Sequence, residues 1–133
     1  MKKIHIVNTN QSRNPACEQD MLLKRKCSAY FKDWKHHIEN IQPYDIVFLY
    51  SNKKGIIAKG LATGILEIAD YEGHKNEEYY MNLDRFEILK KPFPASEVRV
   101  ISGIDVVFGN TMFTFKNYDT GIKLWQTITK NYL

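Results

Sequence analysis

The chain has 133 residues, 44% hydrophobic and 26% charged, and its nineteen Lys and Arg against fifteen Asp and Glu give a net charge of +4. That length suffices for one well-filled core, so a single domain over 1–133 is expected. A mean hydropathy of -0.42, and no apolar run near the roughly 20 residues a bilayer span needs, exclude a membrane-spanning helix. Met1-Lys2-Lys3-Ile4-His5-Ile6-Val7 does not read as a secretory signal, so a cytoplasmic protein with no membrane partner is expected.

Taken in chain order, Ile4, Ile6 and Val7 predict a first strand that ends in the polar septet Asn8-Thr9-Asn10-Gln11-Ser12-Arg13-Asn14, a loop by composition. Asn14-Pro15 is a helix entry, with Asn as cap and Pro at the first helical position. Cys17, Met21, Leu22 and Ala29 supply an apolar stripe for a helix over about 15–29, with Lys24, Arg25 and Lys26 largely outside it. A short helical piece is predicted over 35–42, stopped by Pro43.

Strands follow at about 45–50 and 56–64, joined by the polar tip Ser51-Asn52-Lys53-Lys54-Gly55. An acidic stretch from Glu67 to Glu78 reads as a solvated loop, and a further strand is predicted near 79–90, broken by Pro92 and Pro94. Residues 96–101 suit a short helix or a strand, and 105–108 with 112–115 flank Gly109-Asn110 as a tight hairpin. A last helix, capped by Asp119 or Thr120, carries Ile122, Trp125, Ile128 and Tyr132 at helical spacing. Strands that meander with few crossover helices indicate an α+β fold with a mostly antiparallel, barrel-like sheet.

Motifs for catalysis are sparse. Gly55, Gly60 and Gly64 fit neither a dinucleotide fingerprint nor a phosphate loop. His36 and His37 are adjacent and diverge on a helix, and Cys17 and Cys27 form neither a disulfide framework nor a zinc pattern, so no metal and no cofactor are expected. What remains is aromatic and amide chemistry. Trp34 stands among Lys32, Asp33, Lys35, His36 and His37, which suits a stacking surface as well as a core position beside Phe31 and Ile38. Asn8, Asn10 and Gln11 leave the first strand, where amides match a base edge or simply form a turn.

One combination resembles a known family. Trp34, then Asp45-Ile46-Val47-Phe48-Leu49-Tyr50, then Gly55-Ile56-Ile57-Ala58-Lys59-Gly60 resemble the EVE domain, with its tryptophan, Gly-Asp before an apolar strand, and strand opening with Gly-Ile. Tyr44 stands where that family has glycine. Ile4 to Asn10 are similar to the first strand and loop of EVE and YTH domains, and Leu89-Lys90-Lys91-Pro92-Phe93 to a later Leu-x-x-Pro segment. EVE, YTH and ASCH domains are PUA-like, so the resemblance implies a small PUA-like mixed or antiparallel β-barrel flanked by helices. It further implies a non-catalytic module that takes a modified, for instance methylated, base of RNA or DNA into an aromatic pocket. Trp34 would be one wall of that pocket, Asn8 and Asn10 its amide contacts, and Tyr80, Arg85 or Phe86 the second wall. Lys24, Arg25, Lys26, Lys53 and Lys54 are candidate phosphate contacts. Two other readings are a hydrolase of the ASCH type using Lys59, Thr63 and Glu67, and a protein-interaction module.

Overall fold

β-Branched and aromatic residues crowd the stretches that become strands, and their alternation decides which face each side chain covers. The computed structural model describes residues 2–133 and begins with strand β1 (Ile4–Asn8), helix α1 (Pro15–Lys24), strand β2 (Lys26–Tyr30), helix α2 (Lys32–Lys35) and a 3-10 turn at His36–Asn40. There follow β3 (Ile46–Ser51), β4 (Gly55–Ala62), β5 (Glu67–Tyr71), β6 (His74–Phe93), α3 (Ala95–Ser102), β7 (Met112–Thr114) and α4 (Tyr118–Asn131).

The sheet runs β2-β6-β4-β3-β1-β7, with β5 added to β6. β3 pairs antiparallel with β4 but parallel with β1, where Ile4 faces Ile46 and Asn8 faces Tyr50. β6 is 20 residues long; its first half carries β2 and β5, and its second half pairs with β4. Register shifts against β4 insert extra residues into β6, and Arg85, with φ of 50°, lies in one of them. Such bulges bend and twist a strand, and here they curl the sheet into a half-barrel.

Both faces of the central strands are covered. Ile46, Phe48 and Tyr50 join Ile4 and Ile6 against Val98 of α3 and Leu124 and Ile128 of α4. Val47 and Leu49 point the other way, onto Cys17 and Met21 of α1, Cys27 and Ala29 of β2, and Ile38 and Ile41. Every residue of β3 is therefore buried. Gly121 makes the close approach of α4 possible, because a Cβ there would collide with Ile4. That contact accounts for a residue that ordinarily weakens a helix interior by about 1 kcal/mol.

Several elements differ from expectation because a distant pairing outweighs local preference. The helix expected over 15–29 stops at Lys24, where Arg25 turns left-handed at φ of 56° and its N–H caps the Met21 carbonyl. Residues 26–30 become β2 instead, because Cys27 and Ala29 bury themselves opposite Met81 and Tyr79 of β6. The acidic stretch is not a loop: it forms β5 and the start of β6. β6 continues through Pro92 to Phe93, since Pro92 falls within a bulge where it removes no ladder bond. Residues 96–101 are helical, within α3. The hairpin expected around Gly109-Asn110 is absent: Val106 and Phe108 enter the core without a strand, and β7 pairs with β1. The α4 cap is Asn117, whose side chain accepts the Asp119 N–H at 2.9 Å. Among the described residues no helix is long and apolar enough to cross a membrane.

Candidate functional site

A cleft of about 800 Å3 opens where three loops meet. Its volume falls in the roughly 300–1,000 Å3 range of small-molecule sites. Asn8, at the end of β1, holds the loops together. Its Oδ1 accepts the Asn10 backbone N–H at 2.8 Å, and its Nδ2 donates to Asn52 Oδ1 and to the Phe108 carbonyl, each at 2.9 Å. The first loop, the tip of the β3–β4 hairpin and the segment before β7 are thereby joined through one amide. Asn10 takes a left-handed φ of 62°, and its carbonyl accepts the N–H groups of Arg13 and Asn14 at 3.2 and 3.0 Å. Asparagine tolerates that conformation better than other residues with a side chain.

The opposite rim begins where β2 ends. Phe31 has φ 65° and ψ 149°, a region that essentially only glycine occupies, and Lys32 follows at φ of 40°. Such a conformation costs about 1–3 kcal/mol and persists only when its surroundings hold it. Here the Phe31 N–H donates to the Glu77 carbonyl at 2.9 Å, and the ring meets Tyr71 edge-on at 5.3 Å. The reversal places Trp34 on the cleft wall, 46% exposed. Arg13 reaches across from the first loop, its Cζ 5.5 Å from the Trp34 ring centroid.

Tyr30, Phe31 and Tyr71 add further aromatic lining, with Tyr30 and Tyr71 at 4.4 Å. The Tyr71 hydroxyl accepts from Asn14 Nδ2 at 2.8 Å and lies 3.3 Å from Cys17 Sγ. Burial, followed by the contact with Cys17, pushes the Tyr71 pKa up, and burial does the same for Tyr30. Both are neutral phenols at physiological pH. The cleft thus offers π surface, amides, one guanidinium, the His37 imidazole and the Glu72 carboxylate. Among the described residues no group of three His, Cys, Asp or Glu side chains is placed to hold a metal ion.

Of the residues singled out in the sequence, Trp34, Asn8 and Asn10 come together in this cleft. The three expected for a second wall do not line it. Tyr80 sits mid-sheet between Ser28 and Glu67, with the Lys26 ammonium 4.3 Å from its ring centroid. Arg85 is spent on the β6 bulge, and Phe86 lines a separate groove with Leu22, Leu23, Arg25 and Ile88. A bulge in β6 redirects Arg85 and Phe86, which the strand's alternation alone could not reveal, whereas Tyr80 is held in regular pairing with β2 and β5.

The basic residues divide likewise. Lys53 and Lys54 are exposed on the hairpin tip, next to the cleft residue Asn52. Lys24 and Arg25 lie at the far end of α1, and Lys24 bonds Asp20 at 3.1 Å. Lys26 is not a phosphate contact: it is 2% exposed, with Nζ 2.6 Å from Glu78 Oε2 and 2.9 Å from Asp20 Oδ2. Burial opposes its charge, but the hydrogen bonds it donates to Asp20 and Glu78, with their negative charges, outweigh that and raise its pKa.

Lys59, Thr63 and Glu67 do not converge on the cleft. Lys59 is 1% exposed beneath α4, its Nζ 3.4 Å from the Trp125 ring centroid and 2.8 Å from Glu87 Oε1. Thr63 Oγ1 accepts the Ile65 N–H at 3.2 Å, and Glu67 opens β5. Sequence reasoning missed Arg13, Tyr71 and Asn52 as cleft residues. Arg13 and Asn52 looked like ordinary loop polarity, and Tyr71 lay in a stretch read as solvated.

A curled mixed half-barrel with helices on both faces is a PUA-like fold, of the kind found in ASCH domains. ASCH from Zymomonas mobilis is similar over 98% of this chain and 96% of its own, at 10% identity and a TM-score of 0.64. A tyrosine-to-phenylalanine mutant of that protein covers 99% and 100% at 8% identity and 0.63. A Pseudomonas syringae protein covers 96% and 97% at 8% identity and 0.52. At such identities the likeness is one of fold. No protein-family model and no curated protein matches the chain.

Proposed function

We propose that the chain is a non-catalytic nucleic-acid-binding module that seats an unpaired, modified base of RNA or DNA on Trp34. The observation that carries this reading is the exposed Trp34 indole on a cleft rimmed by the amides of Asn10 and Asn52. An indole face stacks on any base, and amides pair with base edges through donor and acceptor together. Asn8 acts by fixing Asn10 and Asn52 rather than by touching the ligand, since its donors and acceptor are engaged. Asn52, bonded through Oδ1, keeps its Nδ2 donors, and Asn10, bonded through Nδ2 to Cys17 Sγ, keeps its Oδ1 acceptor. Lys53 and Lys54 supply phosphate contacts beside the cleft. The Trp34, Asp45 and Gly55-Ile56 pattern supports an EVE-type reader within the PUA-like superfamily.

The test is binding of fluorescein-labelled RNA and DNA 12-mers, plain and with methylated bases, by anisotropy. Wild type is expected to prefer a modified member. Trp34→Ala, which stays folded because the residue is a rim residue, is expected to weaken binding roughly tenfold to a hundredfold, as loss of one base stack does. Equal affinity of wild type and variant for every member would overturn the reading. An ASCH-type hydrolase is the less supported alternative, because Lys59, Thr63 and Glu67 are separated. Turnover of acylated nucleosides would restore it.

A further inference from the structure

We infer that Arg13 is the second wall of the cleft, stacking its guanidinium on the far face of the base that Trp34 carries. The inference rests on the base-binding reading and completes it, since none of Tyr80, Arg85 and Phe86 lines the cleft. Arg13 and Trp34 approach from different loops, and the guanidinium carbon stands 5.5 Å from the indole centroid. Arg13 is exposed, and among the described residues the Trp34 ring is the contact its guanidinium makes; its five N–H donors are left for a ligand.

The turn anchored on the Asn10 carbonyl fixes the Arg13 backbone, while the side chain keeps its freedom. A base between two plates needs about 7 Å, twice a van der Waals separation, which exceeds the 5.5 Å from the guanidinium carbon to the indole centroid, so the two must part to admit it. Rotation of the arginine stem supplies that without moving the loop. Without ligand the guanidinium covers the indole face; with ligand it shifts outward and clamps the base. A planar cation stacks in this way and an ammonium does not.

The probe is a fluorescein-labelled 12-nucleotide RNA of mixed sequence, with the same DNA and their methylated-base counterparts, titrated by anisotropy against the full chain. Arg13→Ala and Arg13→Lys are each expected to weaken binding by roughly fivefold to tenfold, and Arg13→Tyr to restore most of it. Retained affinity in Arg13→Lys with loss in Arg13→Tyr would make Arg13 a phosphate contact and overturn the inference. Tighter binding by Arg13→Ala would make the side chain a mere obstruction and overturn it equally. Trp34→Ala separates the two levels: if it loses binding while Arg13→Ala does not, only the clamp fails. If neither variant changes the affinity, or wild type binds no probe, the base-binding reading fails with it.

Discussion

His5 Nε2 lies 2.8 Å from Asp45 Oδ2, and both side chains are at most 1% exposed. The same ring places Nδ1 2.8 Å from Thr114 Oγ1, so one imidazole links β1 to β7 and to the residue just before β3. Asp45 also accepts the backbone N–H groups of Lys3 and Gln42 at 2.8 and 3.0 Å. With the Nε2 proton directed at the carboxylate, Nδ1 accepts from the threonine hydroxyl. The aspartate that marks the family resemblance is thus a structural hub, away from the cleft.

Burial holds the His5 pKa below its ordinary value of 6.5, outweighing the hydrogen bond and charge of Asp45, which pull it up. The unfolded chain therefore binds a proton that the folded chain refuses between the folded pKa and 6.5. Stability is full above about pH 7.5 and is expected to fall as pH drops through 6.5, with a slope of at most about 1.4 kcal/mol per pH unit from this residue. Urea melts between pH 8 and 5 check it: His5→Gln should flatten that part of the curve, and an unchanged slope would remove His5 as the cause.

Tyr44 stands immediately before Asp45 at φ of 69°, in the left-handed region, with its side chain 66% exposed. The family resemblance puts glycine at this position, and the backbone supplies the reason. Tyr44→Gly is expected to stabilise the protein by about 0.5–1 kcal/mol, the relief of left-handed strain exceeding the added freedom of the unfolded chain. Chemical denaturation measures it, and a destabilised variant would count against a strained Tyr44.

Lys26 and Glu78 form a buried pair, and Ser28 Oγ donates to the same carboxylate oxygen at 2.8 Å. Removing one partner leaves a charge stranded between β2 and β6. Lys26→Met alone is expected to cost about 3–5 kcal/mol, whereas Lys26→Met with Glu78→Leu recovers much of that loss. Equal stability of the single and double variants in urea would show the pair uncoupled.

Local pattern and tertiary pairing divided this protein between them. The first strand, the β3–β4 hairpin, the Asn14-Pro15 helix entry and the apolar stripe of α4 were legible because alternation, turn residues and caps act over a few neighbouring positions. Composition and motif likewise singled out Trp34, Asn8 and Asn10, though whether Trp34 faced core or cleft stayed open. Only the fold decided that point, through the reversal at Phe31 and Lys32. It also turned 26–30 from helix to strand, drew Lys26 inside and spent Arg85 on a bulge, because pairing with β6 or β4 outweighs local preference. Arg13, Asn52 and Tyr71 meet Trp34 only through loops that hang from different strands. Residues far apart in sequence become one site only when burial of the sheet's two faces brings those strand ends together.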